Sequence, residues 1–181
     1  MRPAYGAKEN EICHHPTTIV VDIANVMGSR PDGWWRDRPA AAVRLHTELT
    51  ALAASGRPVL PDDTEPEAFV MVLEGAARPA AARIDAAAAR IDAGAARIDA
   101  GAARIDAGAA RIDAAPGAGV RVVQADGSGD DAIVALVRDL PGRRVVVTAD
   151  RELRRRCEAA GAEVLGPGWL IRLFRERPGE R

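Results

Sequence analysis

Asp22, Asn25, Asp130, Asp131 and Asp150 are the side chains of this sequence whose types and spacing could do chemistry. Asp22 closes the β-branched run Thr17-Thr18-Ile19-Val20-Val21, and Asn25 follows three residues later. Glu74 closes a second apolar run, Ala68 to Leu73. A third run leads through Asp126 and the turn Gly127-Ser128-Gly129 to the adjacent pair Asp130-Asp131. A fourth ends Thr148-Ala149-Asp150. If these runs are strands of one parallel sheet, their carboxylates meet at one rim. Like charges held that close force a proton onto one of them unless a cation neutralises the set. Mg²⁺ or Mn²⁺ would do so, being hard ions that take oxygen ligands and share their sites with phosphate. An ion of that kind activates water and stabilises charge on a phosphodiester.

Each residue also has a plainer reading. Asp130 and Asp131 suit the first turn of any helix, where the dipole favours negative charge. Asp150 can cap the helix it begins. Asp22 resists that explanation best, because a carboxylate ending a buried strand is costly unless it is paired.

The elements that must position these residues alternate. Residues 17–23, 68–73, 119–124, 143–149 and 163–165 read as strands, the first as a continuous run buried on both faces. Leu45, Leu49 and Leu52 give residues 39–54 a helical stripe, which Gly56 and Pro58 stop. Further helices are expected from Gly129 to about Leu140, from Asp150 to Ala160, and after Gly166-Pro167-Gly168 through Trp169, Leu170, Leu173 and Phe174. Such alternation predicts a parallel sheet with helices on both faces, whose site lies beyond the carboxyl ends of the strands.

Composition removes several alternatives. The net charge is −1 and the pI about 6.3, so no global positive field marks a polyanion partner. Lys8 is the sole lysine among 25 basic residues, which reads as a coding bias toward arginine. Cys13 and Cys157 are too far apart in sequence to form a metal-spaced pair, and Cys13-His14-His15 are neighbours in a polar segment that rarely converges on one ion. No stretch approaches the roughly 20 apolar residues of a membrane span, and the first residues lack the apolar stretch of a signal peptide. A soluble, cytoplasmic protein with no membrane partner is expected. The segment Gly127 to Ala132 also matches a dinucleotide-binding fingerprint, but two carboxylates stand where a pyrophosphate would bind.

Arg-Ile-Asp recurs at Arg83, Arg90, Arg97, Arg104 and Arg111 in an Ala/Gly background. Each heptad offers one isoleucine and one small residue rather than two apolar knobs. Alanine favours helix, and each interior glycine opposes it by about 1 kcal/mol. The segment predicts a weak helix or helical hairpin projecting from the domain. It reads first as an expansion tolerated in a surface loop, since loop length costs little. Self-association through the Ile/small-residue stripe is the functional alternative. The organisation expected is a flexible tail over 1–16, a catalytic domain over 17–75 and 117–176, an insertion over 76–116, and a tail over 177–181.

Three segments together resemble the NYN family of PIN-like ribonucleases: Val-Asp-Ile-Ala-Asn (21–25), Gly-Ser-Gly-Asp-Asp-Ala-Ile-Val (127–134) and Val-Val-Thr-Ala-Asp-Arg-Glu-Leu (146–153). The motifs occur in the family's order and the resemblance spans nearly all the chain outside the repeat. It implies a three-layer α/β/α sandwich with a parallel sheet of about five strands. It further implies an endoribonuclease with Asp22, Asp130, Asp131 and Asp150 as ligands of Mg²⁺ or Mn²⁺ and Asn25 orienting water or phosphate. Single-stranded RNA is the expected substrate. Arg30, Trp34, Trp35, Arg36 and Arg38 in the loop after Asn25, with Ser128 and Thr148, are candidate substrate contacts, since tryptophan stacks on bases and arginine pairs with phosphates. Sealing the end of the core is the other reading of the tryptophans. A nucleotide phosphohydrolase using the same carboxylates, and a non-catalytic scaffold assembling through the repeat, stand as alternatives.

Overall fold

The computed structural model describes residues 16–56, 59–95 and 119–176. Its strands are β1 (Thr17–Asp22), β2 (Ala68–Leu73), β3 (Gly119–Gln124), β4 (Arg143–Val147) and β5 (Glu163–Leu165). Its helices are α1 (Ile23–Gly28), α2 (Arg38–Ala54), α3 (Ala80–Ala95), α4 (Gly129–Asp139), α5 (Arg151–Ala159) and α6 (Pro167–Arg175), with 3-10 turns at Trp34–Arg36 and Gly75–Ala77. All strand pairs are parallel, in the order β3-β2-β1-β4-β5. The chain therefore builds outward from β1 to β3, then returns to the other side of β1 through α4. That reversal between β1 and β4 is the switch point at which ligand crevices open in such sheets.

Side chains alternate between the two faces of each strand. Ile19, Val21, Phe69, Met71, Val145 and Val147 are buried in one core with α1, α2 and α6. Val20, Val70, Val72 and Val146 form a second core with Ile133, Val134 and Val137 of α4 and Leu153 and Cys157 of α5. Two cores on opposite faces of one sheet make a mixed, three-layer α/β/α protein.

Local chemistry sets the helix boundaries. Asp37 caps α2 by accepting the Ala40 N–H at 2.9 Å, Pro39 occupies its first turn, and Leu45, Leu49 and Leu52 form its buried stripe. Helix α1 was not foreseen, because its six residues are too few to show a periodicity. Among the described residues, no helix is long and apolar enough to cross a membrane.

The repeat begins inside the domain rather than beyond it. Ala80, Ala81 and Ile84 of α3 are buried in the larger core, where α3 packs on α2. The expectation of an insertion starting at residue 76 thus covers residues that pack, because the first Ile of the series finds an apolar seat. The heptads from Arg97 onward lie outside the described residues. We propose that the insertion proper starts after the second turn of α3. Replacing residues 96–116, beyond α3, by a Gly/Ser sequence of equal length is expected to change stability by no more than about 0.5 kcal/mol. A replacement starting at Ala80 removes Ile84 from its seat and should cost roughly 2–5 kcal/mol, which thermal melts of the two variants would compare.

Candidate functional site

Sheet geometry gathers the site before any side-chain contact is considered. Val20, Val72 and Val146 belong to the core under α4 and α5. Two residues further along each strand stand Asp22, Glu74 and Thr148, so the alternation carries all three to the same face at the carboxyl edge. Helices α4 and α5 begin at that edge and bring Asp130 and Asp150. The register pairs Val21 with Val147, which places Thr148 beside Asp22.

Asp22 is 5% exposed and caps α1. Its Oδ1 accepts the Asn25 N–H at 3.2 Å, and its Oδ2 accepts Asn25 Nδ2 at 2.6 Å and the Thr148 hydroxyl at 2.8 Å. Burial pushes the Asp22 carboxyl above its ordinary range; the bonds from Thr148 and Asn25 pull back, and the Glu74 charge adds to the push. Thr148 Oγ1 also accepts the Asp150 N–H at 3.1 Å, while Asp150 Oδ1 caps α5 through the Leu153 N–H at 2.7 Å. One hydroxyl thus ties the two aspartates that end β1 and follow β4.

Asp130 stands opposite without such support. Burial raises its carboxyl first, then the charges of Asp22, Asp150 and Glu74, with Arg156 opposing. Glu74 is held in place because its Oε2 accepts the Gly129 N–H at 2.8 Å. A Cβ at Gly129 would run into that carboxylate, so a side chain there would push Glu74 out of this close approach. Four carboxylates from separate elements therefore act on one another here, with oxygen donors only. Among the described residues, no three Asp, Glu, His or Cys side chains are gathered closely enough to form a finished ligand set. The donor chemistry, oxygen throughout, is the kind a hard divalent ion takes.

Asp131 departs from expectation. Its Oδ1 accepts Arg156 Nη2 at 2.5 Å and its side chain is 70% exposed, so it turns away from the rim toward α5. Adjacent residues on a helix point about 100° apart, and only Asp130 faces inward. Asp126 is likewise outside, its fully exposed carboxylate 3.4 Å from Arg78. Cys157 lies buried behind the rim, and burial pushes its thiol up to about 11, which leaves it protonated and inert.

The candidate substrate contacts divide. Thr148 is wholly buried and bonded to Asp22, so it positions the site instead of touching a substrate. Arg30 is not brought to the rim: its guanidinium pairs with Glu48 at 2.6 Å and lies 5.0 Å from the Phe174 ring centroid, between α2 and α6. Ser128 is exposed and caps α4, its hydroxyl 3.5 Å from the Asp131 N–H. Trp34 is half-buried against the core and Trp35 is 57% exposed, so the pair splits between the two roles considered for it. Arg36 and Arg38 are exposed, and Arg38 lies 5.3 Å over the Trp34 ring. Trp34 and Arg38 border a cleft of about 370 Å³ that reaches Glu74 and Gly127.

Two residues of the site were not assigned a role from sequence. Glu74 showed as a strand-end carboxylate whose membership of the site stayed open, and its bond to Gly129 depends on tertiary approach. Arg156 stands in the run Arg154-Arg155-Arg156, where helical phase alone decides which arginine faces α4. The buried Leu153 and Cys157 set that phase.

This architecture is that of a PIN-like α/β/α protein. A solved structure with a similar fold is Rae1 (YacP) from Bacillus subtilis, in a mutant form. It matches with a TM-score of 0.51 and 14% identity, over 88% of this chain and 75% of that one. At that identity the likeness is a distant relationship of fold. No protein-family profile matches the chain, and no curated protein sequence matches it.

Proposed function

We propose that the chain is a metal-dependent endoribonuclease that hydrolyses phosphodiester bonds in single-stranded RNA. The observation that carries this reading is the meeting of Asp22, Glu74, Asp130 and Asp150 at the switch point of a parallel sheet, where burial and then the other three charges raise the Asp130 carboxyl. Asp22, Asp130 and Asp150 are the residues to hold Mg²⁺ or Mn²⁺, with Glu74 in the place first expected for Asp131. A hard divalent ion supplies water activation and shields the charge of a phosphodiester. The chain's own groups do the rest. Thr148 and Asn25 keep the Asp22 carboxylate aimed and, by donating to it, favour its charged form against burial. Asn25 donates a side-chain amide N–H to Asp22, which leaves its side-chain carbonyl oxygen to orient a water. Arg156, paired with Asp131 beside Asp130, is a cation within reach of a strand lying across the rim.

The test uses the full chain with Mg²⁺ or Mn²⁺ and three substrates: single-stranded RNA, single-stranded DNA and nucleoside triphosphates. RNA cleavage that stops in excess EDTA and returns with added metal is the expected result. Undiminished turnover in EDTA would overturn the metal reading. Triphosphate hydrolysis without strand cleavage would instead favour a nucleotide phosphohydrolase.

A further inference from the structure

The cleft beside Glu74 is not needed to hold a metal ion, yet its walls have a definite chemistry. Ile23 and Met27 of α1 and Ala77 are buried residues that give it an apolar floor. Trp34 forms a wall; Trp35 meets that ring edge to face, with centroids 6.2 Å apart and planes at 87°, and Arg38 covers it from 5.3 Å. The mouth is edged by Glu74 and Gly127, with Gly75 and Ala76 contributing almost no side chain. Ile23 directly follows Asp22, and Gly127 lies three residues before Asp130, so cleft and carboxylate rim share their border. The volume of about 370 Å³ falls at the small end of the range for sites that take one small organic group.

We propose that this cleft takes one unpaired nucleobase of the substrate strand, stacked on Trp34. The inference rests on the nuclease reading and deepens it by naming what the enzyme reads. A planar, apolar-faced ring matches an aromatic wall with an apolar floor, and stacking of this kind tolerates any base. Arg38, already held by the tryptophan ring, offers positive charge toward the adjoining phosphate. A base engaged in a duplex cannot enter, so the cleft selects single strands.

Binding of a 5′-labelled RNA oligonucleotide to the full chain, followed by fluorescence anisotropy in EDTA to prevent cleavage, tests this. Trp34→Ala should weaken binding roughly ten- to a hundredfold. Because Trp34 also touches the core, Gly127→Leu is the companion variant. Gly127 lines the cleft and a Cβ there meets nothing within 4 Å, so a leucine is expected to narrow the mouth without a clash at its Cβ. It should melt like wild type and lose affinity to a comparable degree. An abasic substitution at one position of the oligonucleotide, or hybridisation to its complement, should cost wild type as much and the Gly127→Leu variant little. Equal binding of single strand and duplex, or a Gly127→Leu protein that melts and binds as wild type, would overturn the proposal. Metal-dependent cleavage is scored separately in the same preparations. Cleavage with base-indifferent binding removes the cleft and keeps the nuclease; base-dependent binding without cleavage does the reverse.

Discussion

Asp130→Asn is expected to make the metal-free protein melt at a higher temperature and to lower turnover by at least roughly a hundredfold. Both effects follow from one placement. Among the described residues the Asp130 carboxylate takes no hydrogen bond, while Asp22, Asp150 and Glu74 all push against its charge. Removing the charge relieves that repulsion and leaves no donor unsatisfied. A relief near ~1 kcal/mol would move the midpoint by about 2–4 °C in a domain of this size. Asp22 and Asp150 are poorer probes of the same idea. Asp22 accepts three hydrogen bonds and Asp150 caps α5, so an amide at either position loses bonds as well as repulsion.

The stabilisation should depend on pH. The folded pKa of Asp130 lies above its unfolded value, so the folded state binds more protons and wild-type stability falls as pH rises through that interval. The asparagine variant lacks this loss. In EDTA the gap between variant and wild type should therefore be small near pH 4 and widen toward neutrality. Asp62, whose carboxyl a Thr64 hydrogen bond and then Arg143 hold low, Glu163, which Arg143 holds low, and His46, whose pKa burial lowers, titrate alike in both proteins and cancel in the difference. Added Mn²⁺ should stabilise wild type more than the variant. A variant that melts well below wild type at pH 7 in EDTA would show Asp130 to be structural.

Much of this arrangement could be read from residue order. The apolar runs ending at Asp22, Glu74 and Thr148 mark strand ends whatever the sheet order, and a parallel sheet gathers its carboxyl edge by topology alone. The failures share a different cause. Asp131 and Asp130 are equivalent in sequence, and only the packing of α5 against α4, which brings Arg156 to Asp131, separates them. Arg30 sits among candidate phosphate contacts in the chain, but α1 turns the loop and delivers it to Glu48. Thr148 was a candidate substrate contact, and the register that sets it beside Asp22 buries it instead. That Ile84 packs in the core could not be read from sequence, because one isoleucine in an alanine background carries no sign of whether a core waits for it.

Thr148→Val should produce the second large loss, and through a residue that touches no substrate. Valine fills nearly the same volume, so packing is preserved while two polar partners are abandoned in a wholly buried place. The Asp150 N–H loses its acceptor, and Asp22 keeps only the bonds from Asn25. A buried group left unpaired costs about 1–3 kcal/mol, so the melting temperature should fall by several degrees. Outer-shell partners of metal ligands are typically worth 10–100-fold in affinity or activity, and a drop of roughly that size is expected here. Stability alone would not distinguish a positioning role from simple packing, but the pH profile does. The Thr148 bond is the foremost of the influences holding the Asp22 carboxyl down against burial, so its removal raises that group further. The acid limb of the activity profile should then move to higher pH in the valine variant. Thr148→Ser restores the hydroxyl while losing a methyl, and should return both the wild-type limb and most of the rate despite a melting temperature still slightly depressed. If valine leaves the limb unmoved and the residual rate merely follows the folded fraction, Thr148 packs the strand end and does not aim Asp22.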